Sequence, residues 1–203
     1  DLNKVKLKNF LKLKSIFPQI KKDILFKNQK IKLEYEKDNL NIVGDGGVLI
    51  QNKIDKINYK IFKTKDKVKY NATYIISKNP FELNLLNYKK NKNSDLQLNF
   101  KSKKNIKEKF KLCDITLKEK NNFISIKNLS LSDDNKINEV DNININYTDK
   151  ENLINRIEIK KNNQDYLVSG KSFNIDSLVE KLLDSNNEGK IEFFNKNLKL
   201  VFD

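Results

Sequence analysis

A mainly β fold, one long antiparallel sheet twisted or bent into a groove, is what this sequence predicts, and three observations predict it. From about residue 30 onward apolar residues alternate with Lys, Asn, Asp, Glu, Ser or Thr, the period of a sheet with one wet face. Polar clusters such as Lys63-Thr64-Lys65-Asp66 and Lys161-Asn162-Asn163-Gln164-Asp165 separate the runs as turns do. Only two stretches leave this alternation for a helical spacing, one near 8–17 and one near 174–185.

Residues 1–29 read as a connecting segment. Within it Phe10, Leu11, Leu13, Ile16 and Phe17 precede Pro18, and a short helix there must stop ahead of the proline. Residues 30–203 read as the groove segment. Its clearest strands are Ile31-Leu33-Tyr35, Val68-Tyr70-Ala72-Tyr74-Ile76, Leu96-Leu98-Phe100, Ile143-Ile145-Tyr147 and Leu198-Leu200-Phe202. Ile57-Tyr59-Ile61, Leu83-Leu85, Ile124-Ile126, Leu129-Leu131, Ile157-Ile159 and Tyr166-Val168 continue the series as an antiparallel meander. Gly44, Gly46 and Gly47 fall between the strand-like flanks Leu40, Ile42, Val48 and Ile50. Their spacing is not that of a phosphate-cradling loop, so a hairpin turn or bulge is expected. In the second helical stretch Ile175, Leu178, Val179, Leu182 and Leu183 form one stripe, with Asn174 as N-cap and Phe173 poised to staple against Leu178. Val201-Phe202-Asp203 reads as a strand whose partner is missing.

Composition narrows function mostly by exclusion. The chain has no His and a single Cys, Cys113, so the commonest general base, the nucleophile–His pairs and most transition-metal sets are absent. Cys113 lies in an alternating run and is expected to pack rather than react. Asp45, Asp55 and the pair Asp133-Asp134 make no acid–base constellation, and such carboxylates on a wet sheet face serve solvation. No catalytic residue, metal or cofactor is therefore expected. The chain starts at Asp1 and has no Met, as a processed product or excised fragment would. No stretch reaches the roughly 18 to 20 apolar residues of a membrane-spanning helix.

The net charge of +14 has two readings. A polyanion partner is one, since clustered cations release counterions from phosphate. A solvated lysine surface is the other. Arg156 is the only Arg, whereas base-edge and phosphate recognition favours the guanidinium fork, and Lys, Asn and Ile are abundant throughout, as AT-rich codons dictate. Aromatic residues interleaved with Arg are missing, so no specific nucleic acid is expected.

Three stretches carry a resemblance to a known family. They are Asn41 to Ile50 followed by Ile54 to Tyr59, the short strands from Phe123 to Ile159, and Tyr166-Leu167-Val168-Ser169-Gly170-Lys171-Ser172-Phe173-Asn174-Ile175-Asp176-Ser177-Leu178-Val179. Together they are similar to the AsmA-like superfamily, and to the middle region of its YhdP-type envelope proteins. The third is the most specific: a strand, a Gly-small-Phe-Asn element and a short helix. The resemblance implies a periplasmic location in a Gram-negative bacterium and an inner-membrane anchor outside this segment. It also implies a β-groove that conducts phospholipid between inner and outer membranes, beside other envelope proteins. Tyr70, Ala72, Tyr74, Leu96, Leu98, Phe100, Ile143, Ile145 and Tyr147 would then line the groove against acyl chains.

The alternation itself fits such a groove, because one amphipathic helix cannot cover so much apolar sheet and the excess must fold onto itself or meet a ligand. A closed β-sandwich or barrel, acting as a structural or protein-interaction module, satisfies the same pattern. Solvent exposure of the apolar face separates the two.

Overall fold

A computed structural model describes residues 4–7, 10–176, 179–180 and 198–202. The strands are β1 (Lys4–Lys6), β2 (Asp23–Glu36), β3 (Asn39–Leu49), β4 (Asp55–Lys63), β5 (Lys67–Ile76), β6 (Glu82–Leu83), β7 (Tyr88–Lys89) and β8 (Leu96–Asn105). They continue with β9 (Phe110–Glu119), β10 (Asn122–Ser132), β11 (Ile137–Glu139), β12 (Asn142–Thr148), β13 (Ile154–Asn162), β14 (Asp165–Ser172) and β15 (Leu198–Phe202). One 13-stranded sheet follows the order β1-β2-β3-β4-β5-β8-β9-β10-β12-β13-β14-β15, with β11 also paired to β10. Among the described residues the path never returns on itself, so β1 and β15 are its two ends and the sheet does not close into a sandwich or barrel. β6 and β7 make a separate small hairpin.

Neighbouring strands of the large sheet run antiparallel with one exception: β14 and β15 are parallel, Tyr166 opposite Leu198 and Gly170 opposite Phe202. This corrects both the uniform meander and the partnerless last strand. β14 and β15 therefore enter the sheet from the same end. A boundary at residue 29/30 falls inside β2, since Asp23 to Gln29 already belong to the sheet.

Asparagine supplies many of the sharp reversals. Asn28, Asn87, Asn128, Asn135, Asn152 and Asn163 have positive φ, a region that Asn tolerates better than most residues do. Lys37 and Asp38, also at positive φ, form the two-residue turn between β2 and β3. Both polar clusters singled out as turns lie between strands, β4 to β5 and β13 to β14. Ile124-Ile126 and Leu129-Leu131 are one strand, β10, with a bulge after Ile126 where Asn128 sits.

The glycine cluster makes no turn. Gly44, Gly46 and Gly47 lie within the unbroken strand β3, and the bulge is in β2 between Lys27 and Lys30, opposite them. Close approach explains the glycines. A Cβ on Gly44 would meet the Tyr59 ring at 2.2 Å, and one on Gly46 would meet the Gln29 side chain at 2.4 Å and the Asn28 carbonyl at 2.9 Å.

The helix expected near 8–17 is a single turn, α1 (Phe10–Leu13), which the Ile16 and Phe17 N–H groups close onto the Leu13 carbonyl before Pro18. Of the helix expected near 174–185, residues 177–178 and 181–185 lie outside the described residues, and the Phe173–Leu178 staple with them. Its start behaves as anticipated: Asn174 Oδ1 accepts the Asp176 N–H at 3.1 Å, and Val179 N–H reaches the Ile175 carbonyl at 2.9 Å. Among the described residues no helix is long and apolar enough to cross a membrane.

Candidate functional site: an apolar row across the sheet

Strand pairing aligns one row of side chains across eleven strands, from β2 to β15. In order it reads Ile31, Gly44, Tyr59, Ala72, Phe100, Ile115, Ile126, Ile143, Ile159, Val168 and Leu200. Because side chains alternate faces, all of these lie on one face, and every member is apolar apart from the phenol hydroxyl of Tyr59. Gly44 and Val168 of this row are buried, and the rest is neither core nor ordinary surface. Ala72, Ile115, Ile126, Ile143 and Ile159 are half-buried, Phe100 is 38% exposed, and the edge residues Ile31 and Leu200 are about 60% exposed.

The next row toward one set of strand ends is also apolar: Ile57, Tyr74, Leu98, Leu117, Ile124, Ile145 and Ile157. Beyond it lies a row made of Val48 with Asp55, Ile76 with Leu96, Glu119, and Tyr147 with Asn155, all buried. These end rows are roofed by chain rather than by solvent. β5 and β8 are neighbours, so their connection, residues 77–95 with β6 and β7, is free to fold back over the apolar face. It sets Phe81 and Tyr88 into the main core, joined by Ile16, Phe17 and Phe173. The rings of Tyr74, Phe17, Phe81, Tyr88 and Tyr147 touch in succession at centroid distances of 5.5 to 6.4 Å, mostly edge to face.

Polar groups under this plug are paired. The Asp55 carboxylate accepts from Tyr74 Oη at 2.7 Å, Asn79 Nδ2 at 2.6 Å and Ser77 N–H at 3.0 Å. As a loop carboxylate Asp55 would be expected to be solvated, but it opens β4 instead. It is 2% exposed, because β4 begins with it on the apolar face where three donors converge. Glu119 accepts from the Tyr88 and Ser94 hydroxyls and from Asn91 N–H at 2.8 Å. Between the two carboxylates the Lys90 ammonium donates to the carbonyls of Ser77 and Asn91 at 2.8 and 2.9 Å. Burial pushes the Lys90 pKa below its ordinary value despite Glu119, Asp55 and Asp95 nearby. Burial first and the adjoining carboxylates second push the phenols of Tyr74 and Tyr88 far above theirs, and burial with Asp149 does the same to Tyr147. These groups anchor the plug.

All nine residues expected to line a groove therefore share one face, but they divide. Tyr70, Ala72, Leu98, Phe100 and Ile143 keep solvent exposure, while Tyr74, Leu96, Ile145 and Tyr147 are buried as core. Periodicity reports the face and not the cover, and the cover comes from a segment with no period of its own. The open part instead gains Leu33, Ile42, Ile61 and Tyr59 from the β2–β4 side. Alternation had marked them as strand residues, and only the pairing register puts them beside Tyr70 and Ala72. Cys113 packs at 1% exposure with Leu129, Val140 and Tyr166, its thiol 3.5 Å from the Ser102 hydroxyl.

A single open, twisted β-sheet with a plugged apolar face defines the class: a mainly β protein presenting an apolar trough. No family model matches the chain, and neither a curated protein nor a solved structure matches it.

Proposed function

We propose that this chain is a segment of an AsmA-like periplasmic protein whose apolar β-groove binds phospholipid acyl chains and conducts them between the inner and outer membranes of a Gram-negative cell. The row from Ile31 to Leu200, half-exposed except at the buried Gly44 and Val168, carries the reading. Ten interstrand steps of about 4.8 Å give it a length of about 50 Å, some three times the ~15 Å of one leaflet's hydrocarbon. Each methylene transferred from water onto such a surface gains about 0.8 kcal/mol. The Tyr59 hydroxyl is the one hydrogen-bonding side-chain group in the row, and a hydrocarbon tail offers it no partner, so sliding along the row has little to break. The role needs no catalytic residue and no cofactor, and it leaves the membrane anchor to a part of the protein outside this segment.

Native mass spectrometry with lipid extraction tests it. The purified chain should carry phospholipid, and Tyr70→Gln with Phe100→Gln should lose most of it while keeping the β-sheet circular dichroism spectrum. A chain that carries none, takes up none from vesicles and excludes hydrophobic dye would overturn the reading.

An envelope protein partner is the second reading, favoured by one observation. Among the described residues only β1 pairs with the outer edge of β2, covering Asp23 to Leu25, and Ile31, Leu33 and Tyr35 further along are 59 to 67% exposed. Concentration-dependent association of lipid-free chain, lost on Leu33→Lys, would support it over lipid conduction.

A further inference from the structure

The polar face of the sheet, turned away from the apolar row, gathers lysines that outnumber their acidic neighbours, Asp114 opposite Lys101 and Glu34 near Lys60. Lys69 stands directly opposite Lys103, a like-charge pairing that costs stability on a sheet. One row along, Lys60 and Lys101 flank Asn71, and Lys67 shares the face two residues before Lys69. Among the described residues none of these five makes an ion pair, whereas Lys4, Lys32, Lys37, Lys89, Lys104, Lys127, Lys136, Lys160 and Lys161 all do. Partial desolvation, then Lys69 and Lys103, lower the Lys67 pKa. Lys69, Lys101 and Lys103 line a shallow hollow of about 250 Å³ together with Leu112 and Asp114. The Asp114 carboxylate is occupied by Asn128 N–H at 2.9 Å and approached by Lys127 at 4.0 Å.

Apolar side chains stand among these cations. Phe62 is opposite Lys69 and Leu112 is opposite Lys103, and Leu112 and Phe110 on the same face are about 40% exposed. We propose that this face docks onto an anionic bilayer surface, the lysines reaching lipid phosphates while Phe62, Phe110 and Leu112 enter the headgroup region. Flexible lysine stems suit a diffuse sheet of charge, and apolar residues between them gain from the acyl boundary. A nucleic acid would favour guanidinium forks, and Arg156, the only Arg, lies on β13 outside the patch. The proposal concerns the other face of the sheet and does not rest on the groove reading.

Cosedimentation of the chain with vesicles tests it, using phosphatidylcholine alone and phosphatidylcholine mixed with phosphatidylglycerol. Binding should require the anionic lipid and weaken with salt. Lys69→Gln with Lys103→Gln should lower it about 25-fold, about fivefold per lysine. That variant relieves a repulsion, so it should melt no lower than the parent. Lys37→Gln with Lys120→Gln removes equal charge at two hairpin turns and should change binding little. Tyr70→Gln with Phe100→Gln should bind vesicles as the parent does, which keeps a failure of the groove distinct from a failure here. Equal loss in both lysine pairs, equal binding to neutral vesicles, or displacement of vesicles by lower concentrations of a single-stranded oligonucleotide would each overturn the proposal.

Discussion

Gly44 and Tyr59 face each other across β3 and β4, and the phenol ring lies where a side chain on position 44 would be. The ring covers backbone that the glycine leaves bare and thereby completes the apolar row. Gly44→Ala should therefore cost about 1 to 3 kcal/mol in urea unfolding, the range for forcing a methyl into packed space. In a Tyr59→Ala background the same change should be nearly neutral, and equal costs in both backgrounds would show that the ring is not the reason. At this scale the sequence was legible in kind but not in place. A glycine cluster between strands does signal a bulge or a close approach, yet which strand bulges depends on the partner, and here Asn28 of β2 bends while β3 runs straight.

The plug shows the same limit at the scale of elements. Residues 77–95 carry Phe81, Leu83, Leu86 and Tyr88 at no regular period, and Leu83-Leu85, expected as a strand, proves to be the end of β6 and a 3₁₀ turn from Asn84 to Leu86. What holds the segment is tertiary: the ring series from Phe17 to Tyr147, and Asp55 and Glu119 gathering donors from strand and plug alike. Asp55→Ala would strand three buried donors and should cost about 3 kcal/mol or more. Asp55→Asn, which keeps one acceptor, should cost less. Hydrogen exchange should localise the loss to residues 77–90 and the ends of β4 and β5, and a uniform loss would argue against a discrete plug. Asp149, which roofs the same end, has its carboxyl pushed up by burial but held lower on balance by the Leu153 and Glu151 N–H groups and the Asn174 and Asn155 amides. Its contribution is present above the unfolded pKa of 3.8 and is lost as pH falls below it.

Across the whole molecule the buried phenols link strand ends to plug. Tyr74 on β5, Tyr88 on β7 and Tyr147 on β12 all have pKa values raised above the ordinary 10.0. A phenol that ionises less readily when folded contributes stability that is intact below pH 10 and is lost as pH rises beyond it. Alkaline unfolding should accordingly be cooperative. Phenolate absorbance from these three residues should appear together with loss of the sheet signal. Gradual titration of Tyr74, Tyr88 and Tyr147 with the sheet intact would contradict the burial described.

Alternation in the sequence determined the sheet, its one apolar face and most strand positions, because side chains on a strand point to opposite sides every second residue whatever lies beyond. The clusters of Lys, Asn and Asp likewise set the turns, and Asn174 marked the start of a helical turn from local chemistry alone. Three things belonged to the tertiary structure. Register decided that Ile31, Tyr59, Ala72, Phe100 and Ile143 fall in one row and that Lys69 meets Lys103, since a strand carries no record of its neighbour's alignment. The fold-back of residues 77–95 decided which part of the apolar face is core and which is trough. The parallel placement of β15 beside β14 was the third, since alternation within a strand does not record the direction of its neighbour.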